Sequence, residues 1–103
     1  MLTPSGNLKG EVAIISRFIV SGDEKEFNRL FKVHEDFMRS QGGFVDCYLL
    51  RSTSSPERFS HTGWWQSIGS YQDAGETAEY KSQIQGLSTL AEMVDVDVYA
   101  TAP

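Results

Sequence analysis

The chain has a single cysteine, Cys47, among 103 residues. No disulfide can form within it, and multi-cysteine zinc patterns such as CxxC pairs are excluded. One free thiol fits a reducing compartment, so the cytoplasm is the expected location. Basic residues are also scarce: nine Lys and Arg stand against fourteen Asp and Glu, for a formal net charge of −5. Arg17, Lys25, Arg29, Lys32, Arg39, Arg51 and Arg58 are scattered and form no run. A phosphate backbone is held by clustered cations, so no nucleic-acid partner is expected. No apolar run approaches the ~20 residues of a membrane-spanning helix. Residues 1–10 contain Pro4, Ser5, Gly6 and Gly10 and lack the apolar h-region of a signal peptide. They read as a flexible arm, with residues 11–103 as one domain. No glycine-rich loop follows a strand, so a bound nucleotide is not indicated. Histidine occurs twice, at His34 and His61, and nothing in their spacing to carboxylates requires a metal. No metal and no cofactor are expected.

What is present is aromatic and apolar. Six Phe, four Tyr and two Trp accompany a hydrophobic fraction of 40%, a globular composition. Glu11 to Val20 is a β-branched strand with apolar residues on both faces: Val12, Ile14, Phe18 and Val20 against Ala13, Ile15 and Ile19. Such a strand is buried on both sides. Asp23 and Glu26 have capping-box spacing before a helix that runs from Glu24 to about Gln41. Its apolar stripe is Phe27, Leu30, Phe31, Phe37 and Met38, with His34 inside it. Gly42 and Gly43 end it.

Phe44 to Ser52 reads as a second strand, with Phe44, Asp46, Tyr48 and Leu50 on one face and Val45, Cys47 and Leu49 on the other. Phe59 to Trp65 is a third, with Phe59, His61, Gly63 and Trp65 together. Ser67 caps a short helix, Glu79 to Glu92 forms another, and Val94 to Ala100 alternates as a last strand. The order β-α-β-β-α-α-β is the ferredoxin-like split βαβ, an α+β fold with an antiparallel sheet. Helices cover one face of such a sheet. The other face is also apolar, and no segment remains to cover it, so a homodimer packed sheet to sheet is expected.

Three segments resemble the antibiotic biosynthesis monooxygenase family. They are ISRF (Ile15–Phe18), HEDFMRSQGGF (His34–Phe44) and FSHTGWWQS (Phe59–Ser67). The resemblance runs from Glu11 to about Ala100. It implies a dimeric α+β barrel with a pocket between sheet and helices. Some members are cofactor-independent monooxygenases that oxidise aromatic polyketide anthrones or phenols to quinones. Others degrade haem, but here Ser16 stands where that resemblance would require Asn, and Gly75 lies near where it would require the haem-ligating His.

Within the resemblance, Trp65 matches a pocket tryptophan at the end of the third strand. His61, four residues earlier, stands where the quinone-forming oxygenases resemble one another in having an Asn. Imidazoles titrate near neutrality and can take a proton from an acidic anthrone carbon or a phenol. Tyr71 has the spacing of a pocket tyrosine. His61, Trp65 and Tyr71 are the expected catalytic residues. His34, Phe37, Tyr48 and Phe59 are expected to line the substrate pocket. The expected partners are a small aromatic substrate, dioxygen and a second copy. A polyketide cyclase on the same fold and a non-catalytic binding subunit are the competing readings.

Overall fold

The computed structural model describes residues 11–101; the arm expected over residues 1–10 lies outside them. The elements follow in the order β1 (Val12–Val20), α1 (Glu24–Arg39), β2 (Phe44–Arg51), β3 (Arg58–Trp65), α2 (Ile68–Gly75), α3 (Ala78–Ser88) and β4 (Ala91–Ala100). The four strands form one antiparallel sheet in the order β2-β3-β1-β4. This is the ferredoxin-like arrangement expected from the sequence. No helix among the described residues is long and apolar enough to cross a membrane.

Local chemistry sets the boundaries. The Asp23 carboxylate accepts from the backbone N–H groups of Lys25 at 2.9 Å and Glu26 at 3.3 Å, which starts α1. Gly43 turns the chain out of α1 with φ of +86°, a conformation that costs a residue with a Cβ. A side chain there would also run into Ser70 of α2. Gly43→Ala is therefore expected to cost about 1–3 kcal/mol, read as a lower urea midpoint at unchanged slope.

Helix α3 stops four residues before the expected end. The Thr89 hydroxyl donates to the Gly86 carbonyl at 2.7 Å, and Leu90 N–H closes a turn on Leu87 at 3.0 Å. Ala91 then pairs with Val20, so β4 begins three residues before the expected Val94. Strict alternation along β4 also fails. Arg17 pairs with Asp95 but Phe18 pairs with Met93, which leaves Val94 as the extra residue of a bulge. A second irregularity lies between Phe44 and Asp46. It turns Phe44 onto the helix-covered face, against Trp65, and not onto the face of Tyr48 as strict alternation predicts.

Under the helices, the buried residues form two apolar clusters. One contains Phe18, Phe27, Phe31, Phe59, Leu87 and Ala91. The other contains Val12, Ile14, Met38, Trp65 and Ala74. Between them runs a polar seam of buried Ser16, His34 and His61. Ser16 sits between Ile14 and Phe18 on β1 and pairs with His61 on β3. The site is thus placed inside the core, where the two clusters meet.

Candidate active site

A cavity of about 150 Å³ opens along this seam. Its floor is the sheet (Ile14, Ser16, Phe18, His61, Gly63, Trp65), its roof comes from the helices, and Met93 and Val96 of β4 border it. Both are roughly half-exposed, so this is the open side.

His61 occupies the wall between the cavity and helix α1. The strand pairing fixes it, with Ser16 on one side and Leu49 on the other. Phe31 packs against the ring at 4.8 Å. The Nδ1–Cε1 edge lies over Gly63, where a methyl group would stand 3.5 Å from Cε1. The opposite nitrogen, Nε2, points to Glu35 Oε2 at 3.6 Å. Cys47 donates its thiol to the same carboxylate oxygen at 3.4 Å. The His61 imidazole beside it holds the Glu35 carboxyl below its ordinary range, against the opposing effect of burial. Burial, then the Glu35 charge, pushes the Cys47 thiol up to about 12, so it is protonated.

His34 lines the same cavity and is engaged differently. Its Nδ1 lies 2.7 Å from Gln83 Oε1, and Tyr80 packs edge-on at 4.8 Å. Desolvation drives its pKa below 6.5, so burial favours the neutral ring. Unfolding frees His34 to take a proton near 6.5, and Glu35 to take one near 4.5. Both folded-state values are lowered, so both contributions to stability are complete above the unfolded values and are lost as pH falls. The melting temperature should therefore decline on acidification from pH 7, first through His34 and below about pH 4.5 also through Glu35. His34→Gln should flatten the upper part of that curve in thermal melts.

The expected site residues divide into two groups. His61, Trp65, Tyr71 and His34 all line the cavity. Phe37, Tyr48 and Phe59 are not among its lining residues. Phe37 packs beside the Trp65 cluster. Tyr48 points to the opposite sheet face and is 48% exposed, because the β2 bulge separates it from Phe44. Phe59 shares the face of His61 but lies deeper, in the Phe27 cluster with the Arg51 guanidinium 5.2 Å over its ring.

Two contributors were not expected. Tyr80 lines the cavity, and burial raises its hydroxyl's pKa, followed by the neighbouring Tyr71. Glu35 follows Phe31 by four residues and precedes Met38 by three, the spacing of one helix face. That spacing was the available signal.

An antiparallel four-stranded sheet under three helices, with an aromatic, two-histidine cavity between them, defines a ferredoxin-like α+β domain with an internal cavity of the kind that takes small molecules. The model of the antibiotic biosynthesis monooxygenase family matches residues 12–85. The chain belongs to that family. Among solved structures it is similar to SnoaB, a cofactor-independent oxygenase from Streptomyces nogalater, with 22% identity, 91% of this chain and 95% of that one covered, and a TM-score of 0.86. A conserved protein from Methanosarcina mazei Go1 follows at 18% identity, covering 89% and 93%, with a TM-score of 0.82. A candidate antibiotic biosynthesis monooxygenase from Bordetella bronchiseptica is 17% identical, covering 92% and 100%, with a TM-score of 0.80. At these identities the likeness is one of fold. No functionally curated protein matches the chain.

Proposed function

We propose that the protein is a cofactor-independent monooxygenase that oxidises a phenolic or anthrone-like aromatic, of the polyketide type, to a quinone. The observation that carries this reading is His61. Its ring has a carboxylate behind one nitrogen and the cavity before the other edge. Glu35 orients the imidazole and stabilises the imidazolium formed when Nδ1 takes a substrate proton. Trp65, Tyr71 and Tyr80 supply flat walls, and the tyrosine hydroxyls can donate to the substrate's oxygen.

Proton removal leaves an electron-rich carbanion or phenolate. It passes one electron to dioxygen, and the two radicals combine as a substrate peroxide. Loss of the remaining C–H proton breaks the O–O bond. One oxygen atom stays as the new carbonyl and the other leaves as water. The chain's part is to orient, desolvate and move the proton.

A cavity of about 150 Å³ accepts roughly one aromatic ring. A fused substrate must extend past Met93 and Val96 on the open side. Exposed apolar residues on both edge strands support a homodimer: Met93, Val94, Val96, Val98 and Tyr99 of β4, and Tyr48 and Leu50 of β2, are all at least 40% exposed. So much exposed apolar surface marks an interface. The reducing cytoplasm suits the free thiol of Cys47. The deciding experiment incubates metal-stripped protein with an anthrone and follows oxygen uptake and product mass. Addition of one oxygen atom and loss of two hydrogens is expected. Loss of water without oxygen uptake would make the protein a cyclase, and an unaltered bound ligand would make it a binding subunit.

A further inference from the structure

Behind the cavity wall, α1, β2 and β3 each bring one donor to a common point: Glu35 Oε2, Cys47 Sγ and His61 Nε2. These atoms all lie within 4.8 Å of one another. Oε2 stands 3.4 Å from Sγ and 3.6 Å from Nε2. A tetrahedral centre with bonds of about 2.0–2.3 Å sets its donors roughly 3.3–3.6 Å apart. Two of the three edges therefore already fit. The third closes by a small rotation of Cys47 or His61.

A second observation points the same way. His61 is 6% exposed, and its Nε2 is buried without a hydrogen-bond partner. Buried polar atoms of this kind are rare and need a reason. The thiol–carboxylate hydrogen bond accounts for Cys47 and Glu35, while the imidazole nitrogen faces the same carboxylate oxygen only at 3.6 Å, beyond hydrogen-bond length. A cation at the common point accounts for all three.

We propose that Glu35, Cys47 and His61 form a binding site for a borderline divalent cation, with Zn²⁺ as the ion that fits. Carboxylate, thiolate and neutral imidazole together balance its charge. The thiolate disfavours Mg²⁺ and Ca²⁺, which take oxygen ligands. Three protein donors leave the fourth position to water. Arg39 donates to Cys47 Sγ at 3.7 Å, and Asp46 holds the same guanidinium at 3.2 Å. The guanidinium thus serves as a neighbour to the thiolate, with its charge answered by Asp46. Binding releases the Cys47 proton, so affinity rises with pH.

The ion also bears on the chemistry, and this consequence rests on the proposed function. Metal on Nε2 keeps the imidazole neutral with its proton on Nδ1, the edge over the cavity. His61 then donates and no longer acts as a base, so the ion inhibits turnover.

The test uses the full chain, stripped with chelator, and adds Co²⁺ alone as the probe. One equivalent should produce the visible bands of a tetrahedral site and a thiolate-to-cobalt charge-transfer band, both displaced by Zn²⁺. Cys47→Ser should abolish the charge-transfer band. It should also weaken Zn²⁺ binding by more than the ~10–100-fold that loss of an outer-sphere partner costs. Glu35→Gln, checked for folding by circular dichroism, should weaken it too. A folded wild-type chain that leaves Co²⁺ octahedral, or Cys47→Ser binding Zn²⁺ as tightly as the wild type, overturns the site.

Oxygen uptake is read in parallel. Zn²⁺ that binds and stops turnover, with recovery on chelation, supports both readings. Zn²⁺ that binds without effect on turnover keeps the site and removes His61 as the base. No binding, with turnover lost in His61→Ala, removes the site and leaves the oxygenase intact.

Discussion

His61→Ala should lower anthrone-dependent oxygen uptake by about 10²–10⁴-fold, the range expected when a general base is lost. The substitution removes the one imidazole that has a carboxylate behind it and the cavity in front. The remaining histidine is the weaker base, because burial lowers its pKa and the partner on its Nδ1–H is the neutral Gln83 amide, not a carboxylate. Two companion variants sharpen the result. Glu35→Gln keeps the shape behind the ring and removes its charge, so an intermediate loss is expected. His34→Gln should cost less than either. Circular dichroism and a thermal melt on each variant separate chemistry from folding. Unchanged turnover in folded His61→Ala would falsify the assigned role.

Phe27→Ala should destabilise the domain by about 3–5 kcal/mol. Its side chain is fully buried, with ring centroids 6.0 Å from Phe18, 5.5 Å from Phe31 and 5.4 Å from Phe59. These contacts dock the first half of α1 on β1 and β3. A domain of this size has only about 5–15 kcal/mol in total, so the change consumes a large share. The cavity itself is lined by Phe31 and not by Phe27. The variant should therefore turn over normally well below its melting temperature and fail early on heating. Urea titration reads the loss, and Phe27→Leu should recover most of it. A cost under about 1 kcal/mol would mean that α1 does not seat this ring as described.

The fold was legible because its signals are local. Alternation, the Asp23 cap, the Gly42–Gly43 stop and the Ser67 cap each mark an element or its end from a few adjacent residues. Alternation along Phe59 to Trp65 puts His61, Gly63 and Trp65 on one face, and the strand pairing keeps them there. Errors arose where a period slipped. The irregularity between Phe44 and Asp46 arises from pairing with β3, and no residue of β2 announces it. Tyr48 was misplaced for that reason. Phe59 shares the face of His61, as alternation expects, but sits in the Phe27 cluster and not at the cavity, since depth within a face depends on which helix lies above. Glu35 and Cys47 were missed as partners because their meeting depends on how α1 crosses β2, a tertiary quantity absent from spacing.

Strand β4 ends the sheet on one side: among the described residues no further strand pairs with its outer edge, and half-exposed valines lie beside it. Ribbons of this kind invite stacking of further copies into fibres. Asp95 and Asp97 interrupt the valines with negative charge, and Asp97 turns back to accept from the Val98 N–H at 2.8 Å. Carboxylates placed this way are gatekeepers in the physical sense: a negative charge within an apolar edge strand opposes open-ended stacking of like strands.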